Sequence, residues 1–370
     1  MASANGIQRG CGVFGPRTHA PFGPDSPPWP RGKSRTSSER RGRVLRYALR
    51  RAVWLVPTLL IVTFLVYVAL RLGTDPVASY RRTNIRVSKK KLDQYIATNG
   101  LYTGAFGYIR GYFAWLWGFI TLDWPRSIKG SRDVWPHLKD ALANSLRLGL
   151  IATVTGIIIG NLLGIAAALR PGRLRDTVVN SGALVGLAVP PFVSALLLQL
   201  LFAVYWQKWF GYALFPVSGV YPAGHQGFNL FLMLKHMALP VVVVSIQSIA
   251  VYSRYMRASL LDVLNSEYMR TARSKGISER RVLVHHALRN ALIPVTTLAF
   301  LDVGSVVGGL IITEGLFEYP GMGRFFLVAY GNGDFPELMP WMVIIIGSVV
   351  VFNLLADIAY ARLDPRIRLA

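Results

Sequence analysis

Cysteine is almost absent from this sequence, and the usual catalytic and metal-binding signatures are missing. Cys11 is the single cysteine among 370 residues, which excludes an intrachain disulfide and a cysteine-rich zinc or iron–sulfur site. The six histidines show no ligand spacing, because His285 and His286 are adjacent rather than one helical turn apart. No HExxH or GxSxG motif occurs, so the common metalloprotease and esterase signals are also absent. We therefore expect no metal site and no catalytic site on this chain.

Charge is also scarce, and acidic charge especially so. Only 16% of the residues are charged, whereas 52% are hydrophobic, and a soluble domain usually has about 25% charged residues. The balance of 41 basic against 18 acidic residues gives a net charge of +23. That charge alone would suit nucleic acid, but no recognition module accompanies it. Because the basic residues lie between long apolar runs, the composition indicates a membrane protein with no nucleic-acid partner.

The first 42 residues differ from the rest, being rich in proline, glycine, serine and arginine. Such a composition cannot bury enough apolar surface to offset the entropy of ordering, so residues 1–42 are predicted to form a disordered, basic cytoplasmic tail. Gly32-Lys33-Ser34 looks like the end of a phosphate-binding P-loop, but Pro27 replaces the glycine that the motif requires five residues earlier. We therefore expect no nucleotide site here.

Six apolar runs follow the tail, and each is long enough to cross a membrane as a helix of about 20 residues. Helices are the expected form, because lipid cannot satisfy exposed backbone groups and the runs lack the alternation typical of barrel strands. The sequence thus predicts an all-α integral membrane domain of six transmembrane helices over residues 43–370. The predicted spans are 52–70, 143–169, 177–205, 237–255, 290–312 and 339–361.

Basic residues lie on alternate connections between these spans, which predicts the orientation. Arginines precede the first span and follow the second, fourth and sixth. Since basic connections stay in the cytoplasm, both termini and the loop 256–289 are predicted to be cytoplasmic, in a cell (inner or plasma) membrane. The loop 71–142 has six basic residues between Arg81 and Lys91. Long loops cross largely regardless of charge, so this loop is predicted to be extracytoplasmic.

Local signals add detail to this topology. The segment from Tyr108 to Leu122 is apolar but too short to span, and its tryptophans suit a helix lying in the membrane interface. Gly156, Gly160 and Gly164 recur every four residues, which favours close approach of another helix on one face of the second span.

Polar side chains within the spans are candidates for lining a pathway. An ionisable group in hydrocarbon costs at least about 2.5 kcal/mol, so it normally faces protein or water. Asp302 could therefore meet an ammonium group of a solute, or it could bond to a neighbouring helix, and both interpretations stay open. The pathway candidates are Gln199, Gln247, Asp302 and Ser305.

The connection between the fourth and fifth spans is longer and more polar than a simple link requires. Residues 262–275 are compatible with a helix, Gly276 ends it, and Ser278 begins a second helix with Glu279 in its first turn. The sequence thus predicts a basic helical hairpin presented to the cytoplasm, suited to a protein partner or anionic lipid.

This hairpin resembles the cytoplasmic loop of the dipeptide/oligopeptide permeases of ABC importers, B-type subunit. In that family a variant of the importer EAA motif has Arg-Thr-Ala in place of Glu-Ala-Ala, as Arg270-Thr271-Ala272 does here. Further similarity extends from about residue 44 to 370. The matching segments are Arg46 to Pro57, Arg71 to Pro76, Pro216 to Gly219, Leu288 to Pro294, Glu314 to Phe317, Pro320 to Gly323, Asp357 to Tyr360 and Leu363 to Arg368.

The resemblance implies a type I ABC importer permease fold and a non-catalytic transport subunit without its own cofactor. It implies a homologous C-type permease beside this chain, two ABC ATPase subunits that carry ATP and Mg, and an extracytoplasmic solute-binding protein that delivers peptide. The hairpin would insert into a groove on one ATPase and transmit its closure to the spans. The residues implied in this coupling are Tyr268, Arg270, Thr271, Ala272, Lys275 and Gly276.

Two departures from the family pattern leave the solute open. Residues 81–107 lack the usual sequence of that outer loop, and Asp302 stands where the family usually has a neutral residue. Permeases for nickel complexes or glycosides in the same branch are therefore alternatives. A secondary transporter or channel is less favoured, because no convincing internal repeat is visible. A membrane-embedded enzyme would need nucleophile–base or metal pairs within the spans, and none is visible.

Overall fold

The computed structural model describes residues 37–129, 132–222, 224–225, 227–306 and 310–363, and within these ranges the chain forms helices and connecting turns without a β-strand. Residues 1–36 of the predicted tail lie outside the described part, whereas residues 37–42 already belong to the first helix. The helices are α1 (Ser37–Thr74), α2 (Pro76–Thr83), α3 (Lys89–Thr98), α4 (Ala105–Ile120), α5 (Val134–Ala168), α6 (Leu174–Ala188), α7 (Pro191–Gln199), α8 (Trp206–Phe210), α9 (Leu230–Leu264), α10 (Glu267–Ser274), α11 (Glu279–Arg281), α12 (Arg289–Val306), α13 (Ile311–Leu316), α14 (Met322–Asn332) and α15 (Phe335–Leu363).

Among the described residues, five helical segments are long and apolar enough to cross a membrane. The predicted span 290–312 overlaps α12, which is not among the five, and its last two residues belong to α13. That helix ends at Val306, and residues 307–309 lie outside the described part. The five segments are Val53–Thr74, Val134–Ala168, Pro191–Phe210, Leu230–Leu264 and Phe335–Leu355.

The predicted span 177–205 is not one helix: it is interrupted at Pro190, between α6 and α7. Pro190 has an extended backbone, with φ −61° and ψ 145°, and Pro191 then begins α7. Proline suits the first helical position because that backbone nitrogen needs no intrahelical partner. From Leu200 to Tyr205 the helix widens into a π-helical turn before α8.

The glycine stripe of α5 packs against α9, as the spacing predicts. A β-carbon added at Gly156 would lie 2.4 Å from the Ser248 side chain, and one added at Gly164 would lie 2.5 Å from the Ser253 carbonyl oxygen. The hydroxyl of Ser245 also donates to the carbonyl oxygen of Ala152 over 3.1 Å. Small residues thus bring the two 35-residue helices into backbone contact.

The loop 71–142 contains the three short helices α2 to α4 and the beginning of α5, and it packs on the end of α1. The Tyr67 hydroxyl donates to the Gly100 carbonyl oxygen over 2.6 Å, and the Thr63 and Tyr112 hydroxyls lie 2.7 Å apart. Of these three short helices, only α4 has a mainly apolar composition. Its Trp117 is 69% exposed, and the position of this helix in the membrane interface stays a prediction.

Candidate functional site

The connection after α9 forms two short helices, but the first begins later than predicted. A single helix over 262–275 is wrong, since α9 ends at Leu264 and α10 begins at Glu267. Ser266 between them has an extended backbone, with φ −75° and ψ 151°, which starts a new helix instead of continuing the old one. Ser278 is the N-cap residue of α11, as predicted.

Gly276 makes the turn between α10 and α11 through its backbone conformation. Its φ is +73°, in the left-handed region. A β-carbon there would meet no atom of this chain within 4 Å. Glycine is therefore favoured by the backbone angle rather than by lack of space within the chain.

α10 has one buried face and one exposed face. Met269 is 0% exposed and Ala272 is 8% exposed, whereas Tyr268 is 45% exposed. The side chain of Arg270 is 71% exposed. Of the six residues implied in coupling, the structure thus buries Ala272 and leaves Tyr268, Arg270, Thr271, Lys275 and Gly276 at the surface.

The buried face of α10 belongs to a core that continues into the membrane helices. Met269 packs in one hydrophobic cluster with Met256 and Leu260 of α9 and with Ala291 and Val295 of α12. Between α11 and α12, Val282–Leu288 forms a π-helical turn that also contributes to this cluster. Because packed cores transmit displacement, a force on α10 would reach both α9 and α12.

The exposed polar groups of α10 form weak interactions with other exposed residues. Arg270 pairs with Glu267 over 3.1 Å, and the side chains of both are more than two-thirds exposed. Asn290 donates to the Tyr268 hydroxyl over 3.1 Å. Exposed ion pairs contribute about 0–1 kcal/mol, so these groups can exchange their contacts for those of a partner at little cost.

A largely buried ion pair, which the sequence did not predict, joins α9 to α6. Arg257 of α9 donates from Nη2 to Asp176 Oδ2 over 2.7 Å and from Nε to Oδ1. The Asp176 side chain is 6% exposed. Its carboxylate also accepts from the Gly172 backbone and from the Asn180 amide. The hydrogen bonds from Arg257 and Gly172 lower the pKa of Asp176 to about 2.

The pathway candidates lie on different helices and have different surroundings. Asp302 of α12 accepts a 2.6 Å hydrogen bond from the Tyr252 hydroxyl of α9. Gln199 of α7 donates to the Leu316 carbonyl oxygen of α13 over 3.1 Å. Gln247 is half-buried on α9, and the side chain of Ser305 lies outside the described part.

A second polar cluster, also missed, fixes the segment after α12. Glu314 is 0% exposed, and its carboxylate accepts from the Ser145 hydroxyl over 2.6 Å and from the Gly323 backbone over 2.6 Å. The Ser145 hydroxyl in turn accepts from the Met322 backbone over 2.7 Å. The only sequence signal was the similarity of the segments around Glu314 and Gly321 to the family.

Known proteins match this chain over most of its length. The family model described as "Binding-protein-dependent transport system inner membrane component" matches residues 160–369. The oligopeptide transport system permease protein AppB of Bacillus subtilis is 36% identical, over 87% of this chain and 98% of its own. The dipeptide transport system permease protein DppB of Escherichia coli is 30% identical, over 88% of this chain and 99% of its own.

A putative peptide permease of Brucella ovis is 35% identical, over 88% of this chain and 99% of its own. Among solved structures, an amino acid ABC transporter with histidines aligns with a TM-score of 0.46 at 15% identity, over 62% of this chain and 99% of that chain. The relatives are transport components rather than enzymes. The chain belongs to the family of binding-protein-dependent transport system inner membrane components, as a multi-pass permease of the ABC importer type.

Proposed function

We propose that this chain is the B-type permease of an ATP-driven importer for dipeptides or oligopeptides. It forms the translocation pathway together with a homologous C-type permease. Two ABC ATPase subunits power the cycle, and an extracytoplasmic solute-binding protein delivers the peptide. Support comes from the relatives named as oligopeptide and dipeptide permeases, which align over 87% and 88% of the chain.

The observation that carries the coupling role is the two-faced character of α10. Its exposed face offers Arg270 to a partner, as does Lys275 directly after the helix, and its buried face places Met269 in the core shared with α9 and α12. An ATPase that binds the exposed face would therefore move α9 and α12 together. Such coupling requires contacts that differ between the two states of the transporter.

In this proposal α10 and both chain termini face the cytoplasm, and α2 to α4 lie on the opposite side. The distribution of arginine on alternate connections supports this orientation. The subdomain of α2 to α4 and the segment around Glu314 would then be available to the solute-binding protein.

Mass spectrometry of the complex purified from its native membrane in mild detergent tests the proposal. We expect two ATPase subunits and a second, homologous permease at a defined stoichiometry with this chain. A co-purifying solute-binding protein that binds dipeptides or oligopeptides would identify the solute class, whereas one that binds nickel complexes or glycosides would replace it. Recovery of this chain alone, under conditions that preserve other ABC complexes, would favour a self-sufficient carrier or channel and overturn the proposal.

A further inference from the structure

Six cationic side chains crowd the turn between α2 and α3, here named the basic turn. All six are exposed, and no aspartate or glutamate occurs from residue 76 to residue 92. Within the described part of the chain none of them forms an ion pair. The basic turn consists of Arg81, Arg82, Arg86, Lys89, Lys90 and Lys91.

The basic turn lies close to the end of the first membrane helix. Ser79, in the middle of α2, donates from its hydroxyl to the carbonyl oxygen of Thr74, the last residue of α1, over 3.1 Å. Since an α-helix rises about 1.5 Å per residue, Arg82 lies about 5 Å beyond Ser79 along the axis of α2.

An apolar residue stands in the middle of these charges. Ile85 is 90% exposed, although a β-branched apolar side chain gains nothing from contact with water. The two helices that flank the turn are joined to each other, because Tyr80 of α2 stacks on Tyr95 of α3 with ring centroids 4.0 Å apart. A combination of exposed apolar and cationic groups is typical of segments that lie in a membrane interface.

The apolar surface of α4 also suits a membrane interface. α4 exposes a stripe of apolar residues at helical spacing, while its opposite face packs in the core of the subdomain. A stripe of this kind is stable next to acyl chains and unstable in water. The stripe consists of Phe106, Ile109, Phe113, Trp117 and Ile120.

We propose that the basic turn binds the phosphate groups of anionic lipids at the membrane surface where α1 ends, with Ile85 inserted between the headgroups. The lysines and arginines neutralise the lipid phosphates, and the apolar stripe of α4 holds the subdomain against the same leaflet. An acidic face of a partner protein would satisfy the cations equally well. The exposed Ile85 and the nearness of Thr74 favour the lipid surface.

A local fluorescence probe tests this assignment in the full-length chain. Cys11→Ser and Ile85→Cys give a single labelling site for an environment-sensitive dye, and the protein is placed in nanodiscs of phosphatidylglycerol or of phosphatidylcholine. We expect a blue-shifted emission in phosphatidylglycerol only. Raising salt from about 0.1 to about 1 M shortens the screening length from about 10 to about 3 Å and should reverse the shift.

Two charge variants distinguish the basic turn from general charge effects. Replacing all six cations by glutamine should abolish the shift, whereas Arg126→Gln, which removes an exposed cation paired with Asp133 in the same loop, should leave it unchanged. Equal emission in the two lipids would overturn the proposal. A blue shift that appears only after a solute-binding protein is added, in either lipid, would also overturn the proposal. That result would assign the basic turn to a protein partner. Neither outcome depends on the transported solute.

Discussion

The guanidinium of Arg257 holds the carboxylate of Asp176 by two hydrogen bonds, which join the end of α9 that leads into α10 to the first turn of α6. Arg257 directly follows Met256, which packs with Met269 of the hairpin that we propose as the ATPase contact. The pair therefore makes α6 part of the body that α10 can move.

This ion pair should give a stability that depends on pH. The pKa of Asp176 falls from the ordinary 3.8 to about 2 on folding, so its contribution is complete above about pH 4 and is lost as the pH falls through 2. We expect Asp176→Asn to lower the free energy of unfolding at pH 7 by about 1–3 kcal/mol. The difference in the free energy of unfolding between this variant and wild type should shrink as the pH falls from 4 to 2.

Thermal unfolding in detergent across this pH range provides the measurement. Asp133→Asn is the matched control, because Asp133 belongs to an ion pair whose side chains are about 70% exposed, and it should change the midpoint little. Identical midpoints for Asp176→Asn and wild type at pH 7 would show that the pair does not stabilise the fold.

Gly276→Val should separate ATP hydrolysis from uptake. A β-branched residue is strained at φ +73°, so the turn after α10 must change its conformation and move the exposed face of α10. We expect normal membrane insertion, retained ATPase activity of the assembled complex and uptake reduced at least about tenfold, equivalent to about 1.4 kcal/mol of coupling.

Gly211→Val is the control for Gly276→Val. Gly211 has φ +82° and equally open surroundings, but it ends α8, far along the chain from the hairpin. This variant should carry the same backbone strain and keep its uptake. Normal uptake in Gly276→Val would argue against a coupling role for the turn.

Arg270→Glu should impair coupling without destabilising the chain. Within the described part of the chain its ion-pair partner is Glu267, and the side chains are 71% and 83% exposed, so little stability is lost. A charge reversal on the surface that we propose to meet the ATPase should instead weaken association and uptake at least about tenfold. Glu267→Gln removes the same intrahelical pair but keeps the Arg270 charge, and it should transport normally. Equal losses in the two variants would indicate a structural role for Arg270.

Gly321→Ala should disrupt the polar cluster around Glu314. The added β-carbon would lie 2.4 Å from a Glu314 carboxylate oxygen and 2.6 Å from the Ser145 hydroxyl. Because both groups are buried and hydrogen-bonded, we expect the free energy of unfolding to fall by about 1–3 kcal/mol. Gly331→Ala is the comparison, since its β-carbon would meet no atom within 4 Å in α14. That variant should be neutral or slightly stabilising, and similar unfolding midpoints for the two would contradict the role of Gly321.

Tyr252→Phe and Asp302→Asn should distinguish the two interpretations of Asp302. The first variant removes the 2.6 Å donor and leaves the carboxylate, whereas the second keeps an acceptor and removes the charge. If Asp302 meets the ammonium group of a peptide, Asp302→Asn should reduce uptake more than Tyr252→Phe does. Unchanged transport in Asp302→Asn would exclude this role. The unfolding midpoints of the two variants would then report how much the Tyr252–Asp302 hydrogen bond between α9 and α12 stabilises the fold.

The sequence by itself determined the features that depend on local periodicity and composition. Long apolar runs predicted the membrane helices, because a span must satisfy its own backbone in lipid. Gly276 and Ser278 marked a turn and a helix start, since their conformational preferences act within a few residues. The glycine stripe of α5 predicted a close helix neighbour without saying which helix it would be.

Only the tertiary structure decided which residues meet across the chain. Ser145 and Glu314 are 169 residues apart, and Arg257 and Asp176 are 81 apart, so no local pattern links them. The break before Glu267 was also missed: no glycine or proline marks it, and the weaker signal of Ser266 at the N-cap was overlooked. Hydrogen-bond partners and buried faces are selected by the packing of whole helices, and that packing is a property of the folded chain rather than of any one segment.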